Sequence, residues 1–443
     1  MYTPVCTSGQ DAEPTPNMTF DRGRLRASRK DKYVDIPRSF FKSNNQSNNH
    51  IKNLFIFALL DFHTMVLKIG IVGAGPAGLT LANILYRNGI TATIYERESS
   101  RNARSQGGSL DLHPRTGQAA LEACGLTSEF RARARYEDQD LVVADSSGNS
   151  LLEVKDQDRD RPEIDRVQLR DLLLDAIPEG MIKWNHRVVS ASAGTLTFTT
   201  HTEPGFDLIV GADGAWSKVR PLCTYVPAFY SGVTGVEMLL RNASSAHPEI
   251  GKMVPHGSLF CFGDEGHNLF LQRSSGDLIR AYAFGRRHEN WIQDSGINWA
   301  DPANIRAVVL KDYVNWAPEL QSFIKDCDDD MQPRQLYMLP VGLTWPSKPN
   351  VTLIGDAAHL MTPFGGEGVN MAMKDSLDLA QAIIKQPTNI AAAIAEYEAT
   401  MWPRSTQEAE TAWERTLSRF KAGASQDVAN HMKRALERRK QRS

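Results

Sequence analysis

The chain has 443 residues, 41% apolar and 23% charged, with a formal net charge of −2. It is long enough for two or three domains and has the composition of a soluble globular protein, with no global field to recruit nucleic acid or an anionic membrane. Its five cysteines (Cys6, Cys124, Cys223, Cys261, Cys327) contain no C-x-x-C pair, which argues against a disulfide scaffold or a zinc site and fits a reducing, cytoplasmic compartment.

Residues 1–64 include "DRGRLRASRKDK" and "KSNNQSNNH", polar and aperiodic stretches that predict a disordered extension. Asp21, Asp31 and Asp35 dilute the basic character a mitochondrial presequence needs. "MVLKIGIVGAGP", from Met65, reads as a natural protein start. The apolar run Leu54–Leu60 is far short of the ~20 residues that span a bilayer, so no stable membrane insertion is expected.

From Leu67 the pattern is α/β. "LKIGIVG" (67–73) predicts a strand, "PAGLTLANILYRNG" (76–89) a helix and "TATIYER" (91–97) a second strand: a βαβ unit. "SQGGSLDLHPRTGQAALEACGL" (105–126) is a Gly-rich loop entering a helix. "FDLIVGADGAWSKVR" (206–220) is a strand ending in Asp213-Gly214, with Ser217 and Arg220 following. Short Phe- and Leu-rich runs over 258–285 predict antiparallel strands joined by tight turns. "VTLIGDAAHLMTPFGGEGVN" (351–370) returns to a strand, then a Pro- and Gly-rich loop, then a helix from near Val369. Ala409, Trp413, Leu417 and Phe420 lie at helical spacing and predict the buried face of a C-terminal helix. The basic tail "KRALERRKQR" reads as a solvated helix end.

Gly73, Gly75 and Gly78 form G-x-G-x-x-G between a strand and a helix, and Glu96 stands 18 residues past Gly78. Gly73 permits the tight turn, Gly75 lets a pyrophosphate approach the backbone, and Gly78 lets the helix pack close; the acid accepts from ribose hydroxyls. If 351–354 is a strand of the same sheet, Asp356 sits at its carboxyl end, where ligands of open α/β sheets bind. There a carboxylate can hold a ribityl chain, and a glycine loop opening a helix favours the negative charge that reduced flavin carries at its N1/O2 edge.

Taken together, G-x-G-x-x-G with Glu96, the Asp213-Gly214 segment and "GDAAHLMTPFGGEGVN" resemble the three signatures of the single-component, class A flavin monooxygenases. "IYERE" (94–98), "NARSQGGSLDLH" (102–113) and "PEIDRVQLRDLL" (162–173) are similar to the tetracycline-inactivating branch. The resemblance implies a Rossmann-like FAD-binding domain of aromatic-hydroxylase type over 66–122, 150–222 and 349–385. An inserted antiparallel-sheet substrate domain would cover 123–149 and 223–348, with C-terminal helices over 386–443. It implies Glu96 as adenosine-ribose ligand, Asp111 and Arg166 as further FAD contacts, Asp356 on the ribityl side, Arg104 meeting NADPH, and Asp213 near both. Pro76, Ala77, Arg97, Pro363, Gly366, Gly368, Val369 and Asn370 complete the cofactor-binding candidates.

The implied reaction consumes NADPH (or NADH) and O2 and hydroxylates an aromatic, phenolic or polyketide-like molecule through a C4a-hydroperoxyflavin, with no side chain as nucleophile. Substrate-pocket candidates are Glu237, Ser258, Arg280 and Phe364. The branch's Gln, Arg and His contacts with tetracycline find no clear match. A monomer or weak homodimer is expected. His359 reads as a packing residue rather than an acid/base, His113 and His256 as structural or exposed, and no His/Cys/Asp cluster has metal spacing. The Phe residues of 260–284 read as sheet core, and Arg273 and Arg280 as sheet surface. Competing readings are an FAD-dependent reductase, a halogenase, which would carry W-x-W-x-I-P, and a non-catalytic flavoprotein.

Overall fold

A computed structural model describes residues 17–21, 24–29, 32–37, 67–103, 107–136, 140–155, 160–263 and 266–440. Two units result, Met1–Val66 and Leu67–Ser443. In the first, Asn17–Asp21, Arg24–Arg29 and Lys32–Pro37 pair as an antiparallel meander. These three strands are what is described of the stretch 1–64, where the sequence predicts a disordered extension. Thr19, Phe20, Tyr33, Val34 and Ile36 are strand formers that the polar composition of the surrounding stretch concealed.

The second unit begins with a strand that is buried at every position, β1 (Ile69–Val72). Helix α1 (Pro76–Arg87) follows, opened by Pro76, and then β2 (Ala92–Tyr95). Next come β3 (Leu141–Asp145) and β4 (Ser150–Val154), then α2 (Arg166–Asp175), β5 (Ile182–Lys183) and β6 (Leu208–Gly211). Five strands follow these: β7 (Phe229–Leu240), β8 (Ser258–Phe262), β9 (His267–Ser274), β10 (Leu278–Arg286) and β11 (Gln332–Met338). The chain finishes with β12 (Val351–Leu353), α3 (Gly368–Lys385), α4 (Ile390–Arg419) and α5 (Ala424–Lys440).

Five of the strands make a parallel sheet in the order β5-β2-β1-β6-β12. Its core includes Ile71, Leu79, Ile94, Leu208, Val210 and Leu353, all without solvent exposure. Seven others make a second sheet, β11-β7-β10-β9-β8-β3-β4, antiparallel except for the β8–β3 pair. The Phe- and Leu-rich runs over 258–285 are β8, β9 and β10 of this sheet, as their spacing predicts.

Two details differ from expectation. The boundary at 149/150 cuts a hairpin: Asp145 accepts amide bonds from Ser147 and Asn149 (2.9 and 3.0 Å), turning β3 back onto β4, so both strands belong to the large sheet. The helix Thr127–Arg133, inside the expected substrate domain, instead packs Phe130 into the core of the parallel sheet.

Candidate cofactor and active site

Because β1, β6 and β12 are parallel neighbours, everything after their last residues emerges at one sheet edge. The carboxyl ends of β1 and β12 lie two inter-strand spacings apart, about 10 Å. Gly73 turns the chain there with φ +107°, and a Cβ on it would stand 2.4 Å from the Ala212 carbonyl oxygen that follows β6. A Cβ on Gly78 would stand 2.1 Å from the Gly73 oxygen, whereas one on Gly75 would meet nothing within 4 Å. The fingerprint is thus packed tight at two glycines and open at the one a diphosphate approaches.

This loop is held from both sides. Glu96, buried at the end of β2, accepts from the amides of Ala74 (2.7 Å) and Glu98 (3.0 Å). Arg170 of α2 donates to the Ala74 and Arg101 carbonyls (3.3 and 2.7 Å) and to Glu98 (3.0 Å). Arg97 beside them is exposed.

After β6, Asp213 accepts from the Ser217 hydroxyl (2.5 Å) and the Lys218 amide (2.6 Å); burial holds its carboxyl above the usual range despite these bonds. Arg220, itself buried, reaches across. It donates to the carbonyls of Ala215 (2.9 Å), Asp356 (3.0 Å) and Ala357 (2.7 Å), stitching the ends of β6 and β12 together.

After β12, Gly355 adopts φ +60°, and its amide donates to Asp375 of α3 at 2.9 Å. Asp375 is fully buried and also takes His359 Nε2 (2.5 Å) and Arg404 (2.8 Å). Burial opposes the charged form of His359, yet the Asp375 carboxylate outweighs it and the pKa rises. His359 therefore acts as a strut, in keeping with its expected packing role. Asp356 differs from its buried neighbours Ala357 and Ala358: it is exposed, and its carboxylate has no hydrogen-bond partner among the described residues.

The two glycine-loop helices are side by side. Ser376 Oγ of α3 donates to the Ala77 carbonyl of α1 (2.8 Å), and neither helix has a side-chain N-cap. Two sets of orphan amides and two positive helix ends thus flank one unpaired carboxylate. That donor set fits FAD: α1 would hold the diphosphate, Asp356 the polyol chain, and the N-terminus of α3, behind Pro363, Gly366, Gly368 and Val369, the ring's N1/O2 edge.

Asn370 is fully buried and its amide is engaged within the protein. Its oxygen accepts from the amides of His113 (2.9 Å) and Gly117 (3.3 Å) and the Thr116 hydroxyl (3.1 Å), and its nitrogen donates to the Asp111 carbonyl (2.9 Å). It locks the 107–118 segment to α3. His113 strengthens this lock by bridging Asp111 (2.9 Å) and Glu367 (3.2 Å). Burial alone would lower its pKa; the bonds to Asp111 and Glu367 carry it to about 9. Arg166 opens α2 beside Gly107, where an added Cβ would lie 3.5 Å from its Nε. Arg104 lies outside the described residues.

The seven-stranded sheet roofs this edge. Residues directly opposite in register share a face, as do residues two apart. By register, Glu237 faces Tyr282, Tyr282 faces Phe270 and Phe270 faces Phe260, which places Arg280 and Ser258 on the same face. Phe270 and Phe284 meet Phe364 of the glycine loop, with ring centroids 6.1 and 5.5 Å away, and a Cβ on Gly108 would lie 3.1 Å from Arg280 and Gln272. The roof therefore touches both Gly-rich segments. Glu237 is buried, and both its oxygens are taken, one by Arg280 and the other by Arg334 (2.5 Å to Nε). Arg280 is also buried, with its Nε unpartnered among the described residues. The sheet-surface reading of Arg280 is corrected: its partner Glu237 lies across the sheet, on a strand that periodicity does not pair with it.

A dinucleotide cradle at a parallel-sheet edge, closed by an antiparallel roof, defines an FAD-dependent monooxygenase of the aromatic-hydroxylase type. The chain belongs to the FAD binding domain family, which it matches over residues 65–228 and 344–410. It is 30% identical to the monooxygenase penA of Penicillium thymicola over 429 residues, covering 83% of this chain and 98% of that one. Its fold is similar to that of Klebsiella pneumoniae HpxO complexed with FAD and uric acid (TM-score 0.69, 22% identity, 84% of this chain and 93% of that chain). It is also similar to the tetracycline destructase Tet(51) (TM-score 0.62, 20% identity, 84% and 95%).

Proposed function

We propose that the protein hydroxylates an aromatic, phenolic or polyketide-like small molecule, with NADPH (or NADH) as electron donor and O2 as oxidant. The observation that carries this reading is the packing of the roof against the glycine loop at Phe364, which lays an apolar, aromatic surface over the sheet edge where a flavin ring would be held. FAD, when bound, supplies the acceptance of hydride and the activation of dioxygen. The chain holds and shields it. Glu96 takes the ribose, the first turn of α1 the diphosphate, and Asp356 the ribityl hydroxyls, with Asp111, Arg166 and the Asp213 segment as further contacts.

The sequence holds no second G-x-G-x-x-G, which supports transient docking of the nicotinamide near Arg104. A roof presenting Phe270, Tyr282 and Phe284 with the guanidinium of Arg280 suits a flat ring bearing acidic hydroxyl or carbonyl oxygens.

The test is substrate-stimulated NAD(P)H oxidation by the purified yellow protein across a phenol and polyketide library, with oxygen uptake and product mass. The reading expects flavin bleaching, oxygen consumption and a product heavier by one oxygen atom. A flavin that no nicotinamide bleaches would defeat it, and a saturated product formed without oxygen uptake would favour a reductase.

A further inference from the structure

Near its C-terminal end α4 lays two arginines against the carbonyl side of the flavin glycine loop. Arg415 Nη1 donates to the Gly365 oxygen at 2.8 Å, and Arg419 Nη1 donates to the Phe364 oxygen at 3.0 Å. The Arg419 guanidinium also lies over the Phe364 and Phe262 rings, 5.7 and 6.0 Å from their centroids. Thr362 binds the same helix through the Ala412 carbonyl (3.1 Å) and the Thr416 hydroxyl (2.7 Å).

Two cations four residues apart share one helix face and repel each other. Neither is within ion-pair distance of a carboxylate among the described residues. Burial, then the charge of Arg415, pulls the Arg419 pKa down to about 10. An uncompensated cation in an aromatic enclosure is costly unless something anionic balances it.

We infer that Arg415 and Arg419 are positioning residues that act through the 364–366 peptide groups to favour the reduced, negatively charged flavin over the oxidised one. Carbonyls held by guanidinium groups polarise the amides that share their peptide planes, those of Gly365 and Gly366. The Gly366 amide closes the turn onto the Pro363 oxygen (3.1 Å). The pair thereby sets the loop and adds positive potential at the N-terminus of α3. This inference rests on FAD occupying the sheet edge.

The experiment is a spectroelectrochemical titration of the FAD-bound protein, wild type against Arg415→Gln, Arg419→Gln and Arg419→Lys, with oxidised FAD affinity measured separately on the apoprotein. Each Gln variant is expected to weaken reduced relative to oxidised flavin binding roughly tenfold, seen as a more negative midpoint potential, and Lys to recover most of it. Arg415 is half-buried, so its variant carries the test if Arg419→Gln does not fold. Gln variants that keep the wild-type potential, or a Lys variant displaced as far as Gln, overturn the inference. A wild-type protein that takes up no FAD overturns the cofactor reading itself, and this inference with it.

Discussion

Among the described residues Asp356 is a carboxylate without a hydrogen-bond partner, at the point where three parallel strands end, and its replacement is the simplest residue-level test. A hydrogen bond to a charged group contributes about 1.5–3 kcal/mol. Asp356→Ala is therefore expected to weaken FAD binding about ten- to a hundredfold with the fold intact, read from the flavin absorbance of the purified variant. A variant with wild-type flavin content removes the role given to that carboxylate. His113 titrates in the opposite sense to a carboxylate. Its folded pKa, about 9, lies above the unfolded value of about 6.5. Its contribution is thus fully present below about pH 6.5 and is lost as pH rises through about 9. Thermal unfolding of wild type and His113→Gln should differ most near pH 6 and converge above about pH 10; a constant difference would contradict the bridge. Glu237→Ala strands the buried Arg280 in the roof, while the exposed Arg334 is left to water, and should cost about 3–5 kcal/mol in urea unfolding, as a broken buried pair does. That Gly73, Glu96 and Asp356 follow strands of one parallel sheet was legible in the sequence, from the spacing that nucleotide binding would demand. Arg170 and Arg220 fall inside the quoted segments 162–173 and 206–220, but what they clamp was not legible, and Asp375 was not singled out. Much of what these three bind is backbone, and much of it comes from distant segments, which a motif does not record.

Among the elements, α4 shows where periodicity misleads. The apolar spacing selects Trp413 and Leu417 for burial, but Leu417 is 47% exposed, while Ala412 is fully buried and Thr416 nearly so. The side chains facing the glycine loop are small because the loop comes close: a Cβ on Gly365 would stand 3.2 Å from the Ala412 Cβ. Hydrophobicity reports burial but not how near the neighbouring backbone lies. Ala412→Leu should therefore act as a wedge, costing about 1–3 kcal/mol and lowering flavin content together. Denaturant melts and absorbance on the same preparation check this, and stability lost with full flavin retained would separate α4 from the loop. The β3–β4 hairpin was missed for a related reason. Its turn is made by Asp145 accepting amides within "SSGN", a local device that a domain boundary drawn from composition cannot register.

At the scale of the molecule, the βαβ start, the antiparallel roof and the return to the first sheet at 351 were all legible, since each has its own period and punctuation. Strand order was not, because a sequence does not say that β6 lies between β1 and β12. Every described site residue belongs to the Leu67–Ser443 unit, which has its own core. A chain beginning at Met65 is accordingly expected to bind as much FAD per molecule as the full chain, and loss of flavin on truncation would place part of the site before Leu67. The most direct measurement is the electron density of the flavin-loaded crystal. The account expects one continuous FAD running from the Gly75 amide to the first turn of α3, with its ribityl chain at Asp356. Density that occupies one Gly-rich segment and leaves the other empty would contradict it.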